Sequence, residues 1–141
     1  MTAGYSGTPL PKKLGLDDKK NLLFDQAPTS VLKELGFRSA PRTSNSSPLD
    51  FALVFTKSQA ELKEKFQALV PRLDPAATLW ISWPKKTSGV ATDLNENIVR
   101  DVGLAAGMVD VKVCAIDDTW SGLKFVFRLK DRAAQTKRTR R

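Results

Sequence analysis

The sequence predicts an α/β fold, a mostly parallel sheet with helices on both faces and an antiparallel hairpin at the carboxyl end. Three observations carry that expectation. Phe51-Ala52-Leu53-Val54-Phe55 is a continuous apolar run bounded by Asp50 and Lys57, the pattern of a parallel strand covered on both sides. Strand-like runs alternate with helical ones from Asn21 to Gly107. Val109 to Ile116 and Leu123 to Leu129 then alternate apolar and polar residues with no helix between them, as a hairpin with a longer turn does.

Taken in order, Met1 to Gly7 is a small, polar start with Tyr5 as its anchor. Thr8-Pro9-Leu10 offers an N-cap followed by proline at the first helical position, so a short helix should run to Leu14, with Gly15 past its end. Asn21 to Asp25 reads as a short buried strand, and a helix through Val31, Leu32 and Leu35 follows, closed by Gly36. Phe37 to Ala40 is at most a ragged edge strand, and the run up to Ser47 a mobile loop. After the central strand, Ser58 and Glu61 form a capping box. Leu62, Phe66, Leu69, Val70 and Leu73 then recur at helical spacing until Asp74-Pro75 stops the helix. Thr78 to Trp83 is the next strand, ended by Pro84. Asp93 with Glu96 makes a second capping box, and Leu94, Ile98, Val99 and Val102 give a buried helical face that Gly103 or Gly107 ends. Residues 1–129 thus form one domain, with residues 1–15 as an arm and short helix, and residues 130–141 form a basic tail expected to be disordered.

Composition bounds the function classes. The 141 residues are 41% hydrophobic and 27% charged, the mix of one globular domain. Met1 to Lys20 lacks the continuous apolar region of a secretory signal, so a cytoplasmic location is expected. A single cysteine, Cys114, excludes an internal disulfide and thiolate metal clusters. With no histidine, the commonest general base, the commonest metal ligand and every Ser-His or Cys-His pair are gone. Carboxylates, lysines and substrate positioning keep an enzyme open, but no residue is singled out as catalytic and no metal site is expected. Of the net charge of +8, five charges sit in Lys130 to Arg141, which holds six basic residues against one acid.

Two resemblances follow from the residues. Leu22-Leu23-Phe24-Asp25, Asp50-Phe51-Ala52-Leu53-Val54, and Leu73-Asp74-Pro75 with Leu79-Trp80-Ile81 resemble the first, fourth and fifth strands of a shortened class I methyltransferase, a Rossmann-like fold, and the closing hairpin resembles its last two. That likeness implies a last strand inserted between its neighbours, and S-adenosylmethionine as cofactor. The turn after the first strand, Gln26-Ala27-Pro28-Thr29-Ser30, carries no glycine, however, and Phe37 to Thr43 carries no acid. These are the two features by which such a fold cradles and orients its nucleotide. Nearly end to end, the chain also resembles a family of small bacterial proteins known only as a domain of unknown function. The carriers are Gly4-Tyr5-Ser6-Gly7-Thr8-Pro9-Leu10, Trp83-Pro84-Lys85-Lys86 with Ser88-Gly89, Thr92-Asp93-Leu94, and Val109 to Asp117 with Thr119-Trp120-Ser121-Gly122-Leu123. That likeness brings no activity with it.

In open α/β sheets ligands bind beyond the carboxyl ends of the strands. There Lys85 and Lys86 are expected to hold a phosphate or carboxylate, with Thr87 and Ser88 donating hydroxyls and Gly89 letting backbone come close. Trp83 and Trp120 would either stack on a flat ligand or lid the core, and Asp117 would pair with the lysines or simply turn the chain. Asp93 and Glu96 already occupy the helix N-terminus an anion would use. The expectation is a small anionic or nucleotide-like ligand bound without strong catalysis, the cofactor being unknown. The alternatives are a divergent S-adenosylmethionine-dependent methyltransferase, and a nucleic-acid or acidic-protein binder using Lys137, Arg138, Arg140 and Arg141. No aromatic residue is interleaved with those last charges for stacking.

Overall fold

A computed structural model describes residues 8–41 and 48–139. Tyr5 and Ser6 of the arm, the loop over residues 42–47, and Arg140 and Arg141 lie outside the described residues. Five strands, β1 (Leu22–Asp25), β2 (Leu49–Phe55), β3 (Leu73–Pro84), β4 (Val109–Ala115) and β5 (Trp120–Val126), make one sheet in the order β1-β2-β3-β5-β4. The first three run parallel, and β5 runs antiparallel to both β3 and β4. The sheet is therefore mostly but not wholly parallel, with the last strand inserted as the methyltransferase likeness implied. Among the described residues five α-helices accompany it: α1 (Leu10–Leu14), α2 (Thr29–Glu34), α3 (Gln59–Leu69), α4 (Glu96–Ala105) and α5 (Arg132–Thr139). Among the described residues no helix is long and apolar enough to cross a membrane.

Alternation along the central strands divides the core. Ala52, Val54, Leu79, Ile81 and Trp83 face one side, under Leu62 and Phe66 of α3 and Val99 and Val102 of α4. Phe51, Leu53, Phe55 and Trp80 face the other, under Leu10 and Leu14 of α1 and Val31 of α2. Both faces are thus removed from water, as continuous apolar strands require. The Trp80 indole donates to the Leu14 carbonyl at 2.8 Å, tying the end of α1 onto the sheet. The two parallel crossovers, through α2 and through α3, step the same way along the sheet but pass over opposite faces. They are therefore of opposite hand, and one is of the rare left-handed kind.

The structure moves several expected boundaries, each for a local reason. Pro9 itself occupies the N-cap position of α1, which has no side-chain cap. Phe37 forms no strand and packs edge-on against Phe24. α3 ends at Leu69, because Pro71 has no N–H to continue it; Val70–Arg72 tightens into a 3-10 turn and Leu73 already begins β3. Asp74-Pro75 therefore lies inside a strand, at a register shift between β2 and β3 where a proline is tolerated. β5 begins at Trp120 and not Leu123, because both the Thr119 and Trp120 N–H groups donate to Asp117 Oδ1 at 2.8 Å, an Asx turn that closes the hairpin early. Gly103 sits inside α4, and Gly107, at φ 95°, follows its end. The tail expected to be disordered is helical over Arg132–Thr139, with Gln135 only 2% exposed.

Candidate functional site

The expected strand-end rim exists, but the sheet divides it. Trp83 is 5% exposed and its ring belongs to the α3–α4 side, while Trp120, half-buried, stands edge-on to Phe55 at 5.0 Å on the other. The two tryptophans do not share a pocket, and Trp83 offers no open face for a flat ligand.

The larger crevice, about 670 Å³, lies on the Trp83 side between the end of β3 and the loop leading to α4. Lys85, half-buried, and Lys86, exposed, line it with Asp93, Asn95 and Ser121. Among the described residues neither ammonium is held in an ion pair. The Lys85 backbone N–H donates to the Thr119 carbonyl at 2.7 Å, fixing the hairpin turn against β3. Lys86–Ser88 forms a 3-10 turn in which the Ser88 hydroxyl donates to the Lys85 carbonyl at 2.7 Å and accepts from Val90 N–H. That hydroxyl is spent inside the loop, while Thr87 is exposed. Gly89 is at φ 78°, and a Cβ there would touch nothing within 4 Å, so glycine serves the left-handed turn and not a close approach. Of the two readings of Asp117, the structure has the turn: its Oδ1 accepts from the Thr119 and Trp120 N–H groups, and it forms no ion pair with the lysines.

The expected acidic cap of α4 is also corrected. Asn95 caps that helix, its Oδ1 accepting from Ile98 N–H at 2.9 Å, and Glu96 pairs with Arg100 one turn on. Asp93 instead accepts from Gln59 N–H at 2.8 Å, at the start of α3, and Thr92 donates to the Lys57 carbonyl at 2.6 Å. The loop after β3 is thereby strapped to the turn after β2, which holds the crevice open.

The smaller crevice, about 340 Å³, lies on the other side of Thr56 and is lined by Gln26, Phe55, Thr56, Ser58, Glu61 and Trp120. Of these, the sequence marked Trp120 as a ligand contact, Ser58 and Glu61 as a capping box, and Gln26 as the first residue of the glycine-free turn after β1. Glu61 completes only half of a capping box: its N–H takes the Ser58 hydroxyl, but its carboxylate accepts from the Thr56 hydroxyl and the Gln26 amide. The Thr56 hydrogen bond foremost, then Gln26, Lys65 and Lys57, hold the Glu61 carboxyl below its ordinary value, against an opposing effect of burial. Gln26 is at φ 60°, the only non-glycine residue at positive φ among those described. Its side-chain amide also donates to the Phe55 carbonyl at 2.9 Å, so it reaches from the end of β1 to the end of β2. Nothing in the sequence marked the bridge that Gln26 makes to Phe55 and Glu61.

No family model and no curated protein matches the chain. Solved structures do. An S-adenosylmethionine-dependent methyltransferase from Aquifex aeolicus superposes with a TM-score of 0.57 at 14% identity, over 81% of this chain and 85% of that one. TnmH gives a TM-score of 0.51 at 15% identity, over 84% of this chain and 45% of that one. LepI, in its complex with S-adenosylmethionine, gives 0.50 at 13% identity over 84% of this chain. The chain spans only 39% of LepI. At these identities the likeness is one of fold, and the fold is methyltransferase-like.

The residues present do not reproduce the cofactor cradle such a fold implies. Among the described residues β1 is an edge strand of four residues, paired with β2 alone. Its following turn places Gln26 where a glycine-rich loop would let backbone meet a nucleotide, and Phe37 to Pro41 contains Arg38 and no acid for a ribose.

Proposed function

We propose that this chain is a methyltransferase-fold domain that binds a small anionic ligand at the carboxyl edge of its sheet, in the crevice beside Lys85 and Lys86. The observation that carries this reading is the pair of ammonium groups, neither in an ion pair among the described residues, that line the larger of the two crevices. The cap of α4 is the neutral Asn95, and the two acids that line the crevice are engaged elsewhere, Asp93 with the Gln59 N–H and Glu96 with Arg100. Lys85 would act as the better-ordered cation and Lys86 as the outer one, with Ser121 and Thr87 within the same wall or loop. A thermal-shift screen of phosphorylated and carboxylated metabolites tests it. A ligand should raise the melting temperature of the wild type and not of Lys85→Ala/Lys86→Ala; no such ligand, or equal stabilisation of the variant, overturns it.

The fold comparisons favour a second reading over bare anion binding, a divergent S-adenosylmethionine-dependent methyltransferase, since the neighbours include methyltransferases and a complex with that cofactor. What supports it is the shared strand order, not the residues after β1. Calorimetry with S-adenosylmethionine and S-adenosylhomocysteine decides: saturable binding below about 1 mM favours it, and its absence removes it.

A further inference from the structure

The feature that neither crevice uses is the basic carboxyl end, which turns out to be a helix fastened to the domain. Gln135 is buried and its side-chain amide donates twice, to the Val70 carbonyl at 2.8 Å and to the Leu73 carbonyl at 2.6 Å. These carbonyls belong to the 3-10 turn and the first residue of β3, where the backbone changes from helix to strand. The Thr136 hydroxyl donates to the Arg132 carbonyl at 3.0 Å and the Thr139 hydroxyl to the Gln135 carbonyl at 3.1 Å, both within the helix, so Gln135 is what fastens it. With Gln135 facing inward, helical spacing turns Ala133, Ala134 and Lys137 outward, and all three are exposed.

The surface so displayed is almost wholly cationic. Arg128, Lys130, Lys137 and Arg138 are exposed, and Asp131 is the single acid from Arg128 to Thr139, 3.9 Å from Arg128. Among the described residues Lys130, Lys137 and Arg138 are in no ion pair. Lys137 and Arg138 in the last turn suit the negative end of the helix dipole, which accounts for their helical position but leaves their ammonium and guanidinium groups facing water. The alanines beside them let a flat polyanion come close.

We propose that α5 and the turn before it form a docking surface for the phosphate backbone of duplex nucleic acid. The chemistry on the helix selects this partner. Single strands are held by aromatic stacking platforms, and α5 carries none. Protein partners rely on buried aromatic or apolar anchors, and the only large apolar group here is Leu129. Phosphate contacts need cations held in place and nothing more, and they carry no sequence preference. The surface lies at the amino end of β3, whereas Lys85 follows its carboxyl end, about 35 Å away at 3.3 Å per strand residue. The two sites can therefore be tested separately.

The experiment is fluorescence anisotropy of a labelled duplex of about 20 base pairs with the full chain, between roughly 50 and 200 mM salt. Three cations at about 0.9 each give an expected log–log salt slope near −3. Lys137→Glu/Arg138→Glu should weaken binding at least about tenfold at low salt, and Lys85→Ala/Lys86→Ala should bind as wild type. Gln135→Leu keeps every charge but unfastens the helix, and should weaken binding several-fold. No binding at about 50 mM salt, or no effect of the charge reversal, overturns the proposal. Wild-type affinity in Gln135→Leu overturns the fixed helix in favour of a charged tail, and equal affinity for polyglutamate overturns the choice of nucleic acid.

Discussion

Replacing Gln26 by glycine and by alanine should give stabilities in the reverse of their usual order. At φ 60° any residue with a Cβ is strained, by about 1–2 kcal/mol, and glycine is not. Both replacements delete the side-chain bonds to the Phe55 carbonyl and the Glu61 carboxylate, which at this exposed position contribute roughly 1–2 kcal/mol together. Alanine loses those bonds and keeps the strain. Glycine loses them, relieves the strain, and gives back about 0.5–1 kcal/mol through its freer unfolded chain. Gln26→Ala should therefore lie about 1–2 kcal/mol below wild type, and Gln26→Gly about 1 kcal/mol above Gln26→Ala. Urea denaturation read by tryptophan fluorescence measures both, and the gap between the variants corresponds to about 4 °C in melting temperature. If Gln26→Ala equals or exceeds Gln26→Gly, Gln26 does not hold the left-handed conformation and the bridge from β1 to β2 is not built as described.

Other perturbations follow from single contacts. Gly103→Ala would put a Cβ 2.1 Å from the ring of Phe125, itself buried and edge-on to Phe66 at 5.3 Å; denaturant midpoints should show a loss of about 3 kcal/mol. Asn95→Ala removes the cap of α4 and should cost about 1 kcal/mol by the same measurement. The Glu61 carboxyl titrates below its ordinary value of 4.5 in the folded state, so its stabilisation is fully present above that value. It is lost as pH falls through the lowered value. A carbon-detected NMR titration should show Glu61 titrating low in the wild type and closer to 4.5 in Thr56→Val, whose stability should fall less on acidification.

What the sequence made legible is what local physics determines. β2 could be read because a strand buried on both faces has no polar alternation to disguise it, and Ser58 because a cap and the amide it satisfies are three residues apart. The same rule misassigned Asp93. Its spacing to Glu96 mimics a capping box, but its real partner, Gln59, lies 34 residues away and is reached only through the tertiary fold. Gln135 is the stronger case: a polar residue in a basic run reads as solvated tail, and its two acceptors are 62 and 65 residues distant. Lys85 and Lys86 were legible as strand-end cations, whereas the separation of Trp83 from Trp120 depends on which face of a strand pair each occupies.

The opposite faces taken by α2 and α3 also decide where the smaller crevice must be. When the chain leaves two neighbouring strands toward opposite faces, a gap opens between their carboxyl ends, and this is the general place for a ligand in an open α/β sheet. Here those strands are β1 and β2, and the gap is the one lined by Gln26, Phe55, Thr56 and Glu61. Among the described residues β1 is at the edge of the sheet, and the amide of Gln26 reaches across the gap to the Phe55 carbonyl. The crevice beside Lys85, about 670 Å³, is the wider of the two, and the one that Gln26 bridges is about 340 Å³.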